Sequence, residues 1–238
     1  MLDEIRLLKE LETRARLFRE DGTPVGSENV FLSIREVMDI VRRHTAEDTP
    51  LPSLDALSWH QIHEAANAGT LQSLLPSGTV LPCVLENGDN VGLIVGYKKS
   101  GQAYFVFRKA MGHLMPMNTK GCRCYEVADL AKYAELQAFS MLPWEIRSIV
   151  RTTSIGSGKM HIFCPSHNEI TRECEDDWIS IFESQESLQK VQAATNQPCS
   201  WWLRSNDGKG NFDCVMKNGT VSSAQYDEVH ALILMFSV

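Results

Sequence analysis

Apolar residues recur at helical spacing at the start of the chain and later give way to short runs typical of β-strands. Within residues 1–20 and residues 30–43 the apolar positions form a single stripe, which predicts two amphipathic helices. A proline-containing segment, residues 44–55, follows them and is predicted to be a linker. These changes of pattern divide the chain into an N-terminal helical segment with its linker, residues 1–57, and a main domain, residues 58–238.

The main domain is predicted to mix short helices with short strands. Ser58 and Gln61 fit a capping box at the start of a helix, and a glycine follows the expected end of that helix. Asn87-Gly88 separates two apolar runs, which is a strong hairpin signal, and a third run completes an antiparallel meander. Residues 126–150 are predicted to be helical with a break at Pro143, and Ser166 with Glu169 is a second possible capping box. We therefore expect an α+β fold with short antiparallel sheets.

The last part of the chain is predicted to hold three more strands, over residues 200–204, 212–217 and 228–236. Adjacent residues of a strand point to opposite faces, so one of Trp201 and Trp202 is expected in the core and the other in a rim or a second layer. Arg204 is expected to stack on an aromatic ring or to pair with a carboxylate. Structural roles are assigned to Trp59, Trp201, Trp202, Arg204 and Gly219.

The net charge of −7 argues against broad nucleic-acid binding, which needs a basic face. The first residues do not form a signal peptide, and no apolar run approaches the about 18 residues that cross a bilayer. We expect a protein that is cytoplasmic as synthesised and that binds no membrane. The N-terminal helices are expected either to pack on the main domain or to form a homo-oligomer through residues 1–43.

Motifs that carry chemistry are few. Gly156-Ser157-Gly158-Lys159 lacks the following hydroxyl residue of a phosphate loop, so it is predicted to be a surface turn. Residues 206–213 contain oxygen ligands that could bind calcium, but their order does not match the EF-hand loop. Cysteine and histidine side chains that could together bind zinc are also present, but their spacing is not the usual one for a zinc site. They are Cys122, Cys124, Cys164 and His167. No cofactor or metal is therefore predicted, and a cysteine-centred enzyme is kept as an alternative.

Two polar segments of the tail are the predicted ligand-binding surface. Both are interpreted as connections between the last strands, where binding loops are common. Tyr226 is the expected aromatic anchor. The predicted contact residues are Asn206, Asp207, Asn211, Asp213, Ser222, Gln225, Tyr226 and Asp227.

Residues 58–238 resemble a bacterial and phage family of unknown function, common in Gram-positive bacteria. The resemblance rests on Ser58-Trp59-His60-Gln61-Ile62, on Ile162-Phe163-Cys164-Pro165-Ser166 with Glu169, and on Ser200-Trp201-Trp202-Leu203-Arg204-Ser205. Members of that family end in a W-L-R-S strand, a glycine-centred hairpin and a V-R-P-A strand. His230-Ala231 stands here where the family has Arg-Pro.

That family is similar to the C-type-lectin-like fold of formylglycine-generating enzymes and of the hypervariable proteins of diversity-generating retroelements. The resemblance implies a C-type-lectin-like domain whose last strands and loops present a binding surface. Cys199 and Cys214 do not match the paired cysteines of formylglycine generation. The first hypothesis is therefore a non-catalytic binding or display module for a protein or glycan, encoded by a phage or mobile element. The second is a structural component of an oligomeric assembly such as a virion or tail.

Overall fold

The computed structural model describes residues 57–207 and 209–238. The two predicted N-terminal helices, the linker and the predicted oligomer contact lie outside these residues. None of the helices within the described ranges is both long and apolar enough to cross a membrane.

Short helices surround two sheets whose strand pairs are antiparallel except for one parallel pair, so the predicted α+β class is confirmed. The helices are α1 (Trp59–Asn67), α2 (Leu71–Leu74), a 3-10 turn (Tyr125–Val127), α3 (Asp129–Tyr133), a π-helical turn (Ala134–Ala138), α4 (Phe139–Met141), α5 (Trp144–Arg147), α6 (His167–Ile170) and α7 (Gln185–Leu188). The strands are β1 (Val80–Leu81), β2 (Leu93–Tyr97), β3 (Ala103–Phe107), β4 (Leu114–Pro116), β5 (Thr153–Ile155), β6 (Gly158–Met160), β7 (Lys190–Val191), β8 (Pro198–Cys199), β9 (Trp201–Asn206), β10 (Asn211–Val215), β11 (Val221–Gln225), β12 (Val229–Ala231) and β13 (Met235–Ser237).

The strands form two main sheets and two small hairpins. One sheet has the order β1-β2-β3-β13, and the other has the order β11-β10-β9-β12-β4. The predicted meander is confirmed as the antiparallel β1, β2 and β3. The glycine-rich segment after residue 155 is the turn between β5 and β6, as the prediction of a surface turn required.

Local sequence signals begin the helices at the predicted places. The Ser58 hydroxyl accepts the Gln61 N–H, and the Gln61 side chain accepts the Ser58 N–H, so the predicted capping box is present. Ser166 and Glu169 form the same reciprocal pair at the start of α6. Each capping box satisfies two backbone donors that a helix start would otherwise leave unpaired.

The core is centred on β3, where every side chain is buried. Phe105 stacks on Phe236 of β13 with the ring centres 5.5 Å apart, and Trp59 of α1 meets Phe105 edge-on at the same distance. Burying each such aromatic side chain contributes about 1.5–3 kcal/mol. These contacts attach the first helix and the last strand to the same sheet.

The prediction of one strand over residues 228–236 is wrong. The chain forms β12 in the five-stranded sheet, crosses the core through buried Leu232, Ile233 and Leu234, and forms β13 in the four-stranded sheet. A continuous apolar run does not reveal the point at which a chain changes sheets, because both halves are equally buried. This crossing ties the two sheets together.

Candidate functional site

The hairpin of β10 and β11 brings most of the predicted contact residues to one end of the five-stranded sheet. Asn211 pairs with Gln225, and Asp213 pairs with Ser223. Asp207 lies in the loop before β10, and Tyr226 directly follows β11. We call Asp207, Asn211, Gln225, Tyr226 and Asp227 the sheet-end face.

Ser222 does not share this surface with Gln225. The prediction that residues 222–225 belong to a connection is wrong, because they form the edge strand β11. Side chains of a strand alternate between its two faces, so Gln225 and Ser223 point one way and Ser222 and Ala224 the other. Directly opposite residues share a face, which places Asn211 with Gln225.

Asp207 organises its own loop rather than presenting a free carboxylate. Its oxygens accept hydrogen bonds from the Lys209 N–H at 2.7 Å, the Asn211 N–H at 3.2 Å and the Asn211 side-chain amide at 2.8 Å. These donors, with the Lys209 N–H first, lower the pKa of Asp207 below its ordinary value. The loop therefore holds the Asn211 side chain in a defined position at the end of the sheet.

A loop that sequence reasoning did not assign to the site supports Tyr226. The Asn118 N–H donates to the Tyr226 carbonyl at 2.9 Å, and the Asn206 amide donates to the Arg123 carbonyl at 3.0 Å. Gly121 packs so closely that an added Cβ would lie 3.5 Å from the Tyr226 ring. The half-buried Tyr226 ring is therefore fixed from one side. No local signal joins Asn118 to Tyr226, since they are far apart in sequence.

Asp213 is directed toward α6 instead of the end of the sheet. Its carboxylate lies 3.4 Å from His167 Nδ1, and the other ring nitrogen of His167 lies 3.4 Å from Glu173. Partial burial raises the pKa of Asp213, while His167 acts in the opposite direction. We therefore separate Asp213 from the sheet-end face and assign it to the contact between the sheet and α6.

Both adjacent tryptophans are buried beneath this site, one on each face of β9, which excludes the rim and agrees with the second layer. Trp201 and Trp202 are each 0% exposed. The Trp201 indole N–H donates to the Leu188 carbonyl at 3.0 Å, and the Trp202 indole N–H donates to the Met115 carbonyl at 2.9 Å. Elements pack on both faces of β9, so each indole is buried and keeps a hydrogen bond.

Arg204 of β9 makes both contacts expected of it. Its guanidinium forms a two-pronged pair with Glu169, donates to the Cys164 carbonyl at 2.8 Å, and lies 5.2 Å from the Phe163 ring centre. Lys98 Nζ lies 3.3 Å from the same carboxylate. Glu169 is only 1% exposed, so this group of charges is a buried junction between Arg204 of β9 and Lys98, which directly follows β2 of the other sheet.

Comparison with known proteins places this site in a described family region. Residues 115–232 match one family model. A DUF6273 domain, a domain of unknown function, is found there. No curated protein matches the chain. No solved structure matches it either.

The DUF6273 domain coincides with one of the two sheets. It begins within β4 and ends just after β12, so it contains the five-stranded sheet almost entirely. The strands of the four-stranded sheet lie outside it. All residues of the sheet-end face, together with Glu169 and Arg204, belong to the DUF6273 domain.

The candidate zinc and calcium ligands that the sequence suggested do not come together in the described residues. No three acidic, histidine or cysteine side chains among residues 57–207 and 209–238 are placed to hold a metal ion. Cys164 is buried, whereas Cys124 is exposed. Asp207 belongs to the candidate calcium loop, and its carboxylate oxygens accept hydrogen bonds from N–H groups of that same loop.

His230 lies in β12 of the DUF6273 domain. It is buried, lies edge-on to Trp202 at 4.4 Å, and shares a 2.6 Å hydrogen bond between its Nδ1 and the Ser200 hydroxyl. Its Nε2 has no hydrogen-bond partner among the described residues, and the Glu228 carboxylate lies 3.9 Å away. Burial lowers the pKa of His230, with a smaller opposing effect from Glu228.

We expect His230 to make the domain less stable in mild acid. Its folded pKa is depressed, so the unfolded chain takes up the proton first and stability is lost as the pH falls below about 6.5. Urea unfolding of the wild type and of His230→Gln across this range should show a flatter pH dependence for the variant. His60→Gln, which removes an exposed histidine, should keep the wild-type slope; equal slopes for wild type and His230→Gln would contradict the assignment.

Proposed function

We propose that this chain is a non-catalytic binding module of C-type-lectin-like fold whose contact surface is the sheet-end face. The observation that carries the proposal is the register of β10 and β11, which pairs Asn211 with Gln225 beside Tyr226. These side chains stand on a hairpin whose strands are anchored by a fully buried core. Groups held on regular strands are positioned better than groups on free loops.

The chemistry of the face favours a hydroxyl-rich ligand, and we propose a glycan. Asn211 and Gln225 each offer an amide that both donates and accepts hydrogen bonds, as sugar hydroxyls require. Tyr226 adds an aromatic surface with a polar end. The exposed Asp227 adds an acceptor beside it. A display role on a phage particle is the setting that the family resemblance favours.

The state of the buried thiols supports a non-catalytic role. Burial raises the pKa of Cys83 and Cys164 to about 12, and that of Cys199 and Cys214 to about 11. A cysteine nucleophile reacts as the thiolate and requires a lowered pKa. These four thiols are protonated at neutral pH and are shielded from substrates.

A glycan array compared between matched variants tests the proposal. We expect the full chain to bind a defined set of glycans and Asn211→Ala to bind them at least about tenfold more weakly, because the amide hydrogen bonds to the sugar hydroxyls are lost. Asn168→Ala changes an exposed asparagine of α6 and should bind as the wild type does. Both variants should keep the wild-type melting temperature within a few degrees.

Three results would count against parts of this proposal. An array with no bound glycan would contradict the ligand class, and a purified protein that binds the wild type but not Asn211→Ala would replace it with a protein ligand. Glycan binding that Asn211→Ala leaves unchanged would contradict the location of the contact surface.

A further inference from the structure

A cleft of about 500 Å³ lies on a different part of the domain, beside Trp178. Its lining includes Tyr97, Lys98, Arg172, Trp178 and Ser180, and none of the residues of the sheet-end face. A volume of this size fits a small molecule. The cleft is therefore separate from the proposed glycan surface.

The walls of the cleft are fixed by hydrogen bonds. The Tyr97 N–H donates to the Ser180 hydroxyl at 3.0 Å, and the Ser180 N–H donates to the Tyr97 carbonyl at 3.1 Å. The Ser180 hydroxyl also lies 2.6 Å from the Ser77 hydroxyl. On the other wall, the Trp178 indole N–H donates to the Phe182 carbonyl at 3.0 Å. The cleft is thus formed before any ligand enters.

The cations of the cleft differ in how they are neutralised. Lys98 lies 3.3 Å from both Glu169 and Asp177. Lys99 lies 3.3 Å from Asp176 and 3.7 Å from Glu175. Each lysine therefore already has acidic partners.

Arg172 is the lining cation without an acidic partner in the described part of the chain. Its guanidinium carbon lies 4.4 Å from the centre of the Trp178 ring, and no hydrogen bond engages its N–H groups among residues 57–207 and 209–238. Stacking on an indole holds a guanidinium in place and leaves its edge free to donate. The stacked Arg172 is a ready fork for a planar or tetrahedral anion.

We infer that this cleft binds a small organic anion, a carboxylate or phosphate carried on a ring or other apolar body. Arg172 donates two hydrogen bonds to the anionic group, and the bonded hydroxyl pair of Ser77 and Ser180 has one proton left to donate in the same cleft. The aromatic surface of the partly exposed Trp178 contacts the apolar body. Glu175 also lines the cleft and is paired with Lys99, which leaves Arg172 as the described lining cation that can receive the anionic group.

Binding of phenyl phosphate and phenylacetate to the full chain tests this inference. The readout is the indole N–H resonance of Trp178, assigned with the Trp178→Phe variant. We expect saturable shifts with either anion and an at least tenfold higher Kd in Arg172→Gln, roughly the loss of one charged hydrogen-bonding group. Arg172→Lys keeps the positive charge but loses the paired N–H donors of the guanidinium. We therefore expect its Kd to lie between those of the wild type and Arg172→Gln.

The controls separate the two halves of the ligand. Arg108→Gln removes the same charge from an exposed arginine that does not line the cleft, and should bind as the wild type does. Benzyl alcohol and inorganic phosphate, which each carry one half, should bind more weakly than phenyl phosphate. Equal binding by benzyl alcohol would overturn the role of the anion, and equal binding by inorganic phosphate would overturn that of the apolar body.

Two further results would overturn the site itself. These are the absence of any shift at Trp178 with either anion up to about 10 mM, and an unchanged Kd in Arg172→Gln. Neither result tests glycan binding, because the cleft and the sheet-end face have no residue in common.

Discussion

Replacing Glu169 with glutamine is expected to lower the free energy of unfolding by about 3–5 kcal/mol, as breaking one side of a buried ion pair does. The carboxylate is 1% exposed and is held by Arg204, by Lys98 and by the Ser166 N–H at 2.8 Å. Glutamine keeps the size of the side chain but leaves Arg204 without its anion and Lys98 with Asp177 alone. Urea unfolding at neutral pH measures the loss.

An exposed ion pair on the same part of the domain supplies the control. Glu175 lies 3.7 Å from Lys99, and both side chains are largely exposed. Glu175→Gln is therefore expected to change stability by less than about 1 kcal/mol, because solvent screens such pairs. If Glu169→Gln were as mild as Glu175→Gln, the buried junction at Arg204 would not stabilise the fold as described.

Replacing Gly219 with alanine is expected to cost about 2–5 kcal/mol, the sum of a left-handed backbone and an overpacked contact. Gly219 is buried in the turn between β10 and β11 and has φ +84°. A Cβ added there would clash with the Gln185 backbone oxygen, well inside their van der Waals contact distance. Either the hairpin of β10 and β11 or α7 would therefore have to move. Thermal or urea unfolding would detect the change.

Gly88→Ala is the matched control for the backbone term. Gly88 has φ +89°, and a Cβ added there would meet no atom within 4 Å. Gly88→Ala should therefore lower the free energy of unfolding only by the strain of the left-handed backbone, about 1–2 kcal/mol. Equal losses in the two variants would mean that the contact between Gly219 and Gln185 relaxes without cost, contrary to our description.

Local signals predicted much of the fold. The capping boxes at Ser58 and Ser166 depend only on residues three positions apart, and both are present. The helix predicted over residues 126–150 is confirmed with its break near Pro143, where proline ends the helical hydrogen bonding. The Asn87-Gly88 turn lies where the hairpin signal indicated.

Features that depend on distant contacts were not predictable in the same way. Trp201 and Trp202 follow strand alternation, but only the packed structure reveals that elements cover both faces. Alternation separates Ser222 from Gln225 on any register, but the register of β11 against β10 decides which of them shares a face with Asn211. The cleft at Arg172 joins β2 to a segment far along the chain, which no spacing indicates.

The most direct test of the proposed contact surface compares two alanine variants of β11. Gln225 and Ser222 are both exposed and lie on one short strand, but alternation directs them to opposite faces. Glycan-array binding by Gln225→Ala should fall at least about tenfold, while Ser222→Ala should bind as the wild type does. Loss of binding in Ser222→Ala with full binding in Gln225→Ala would contradict the sheet-end face as the surface that this protein uses.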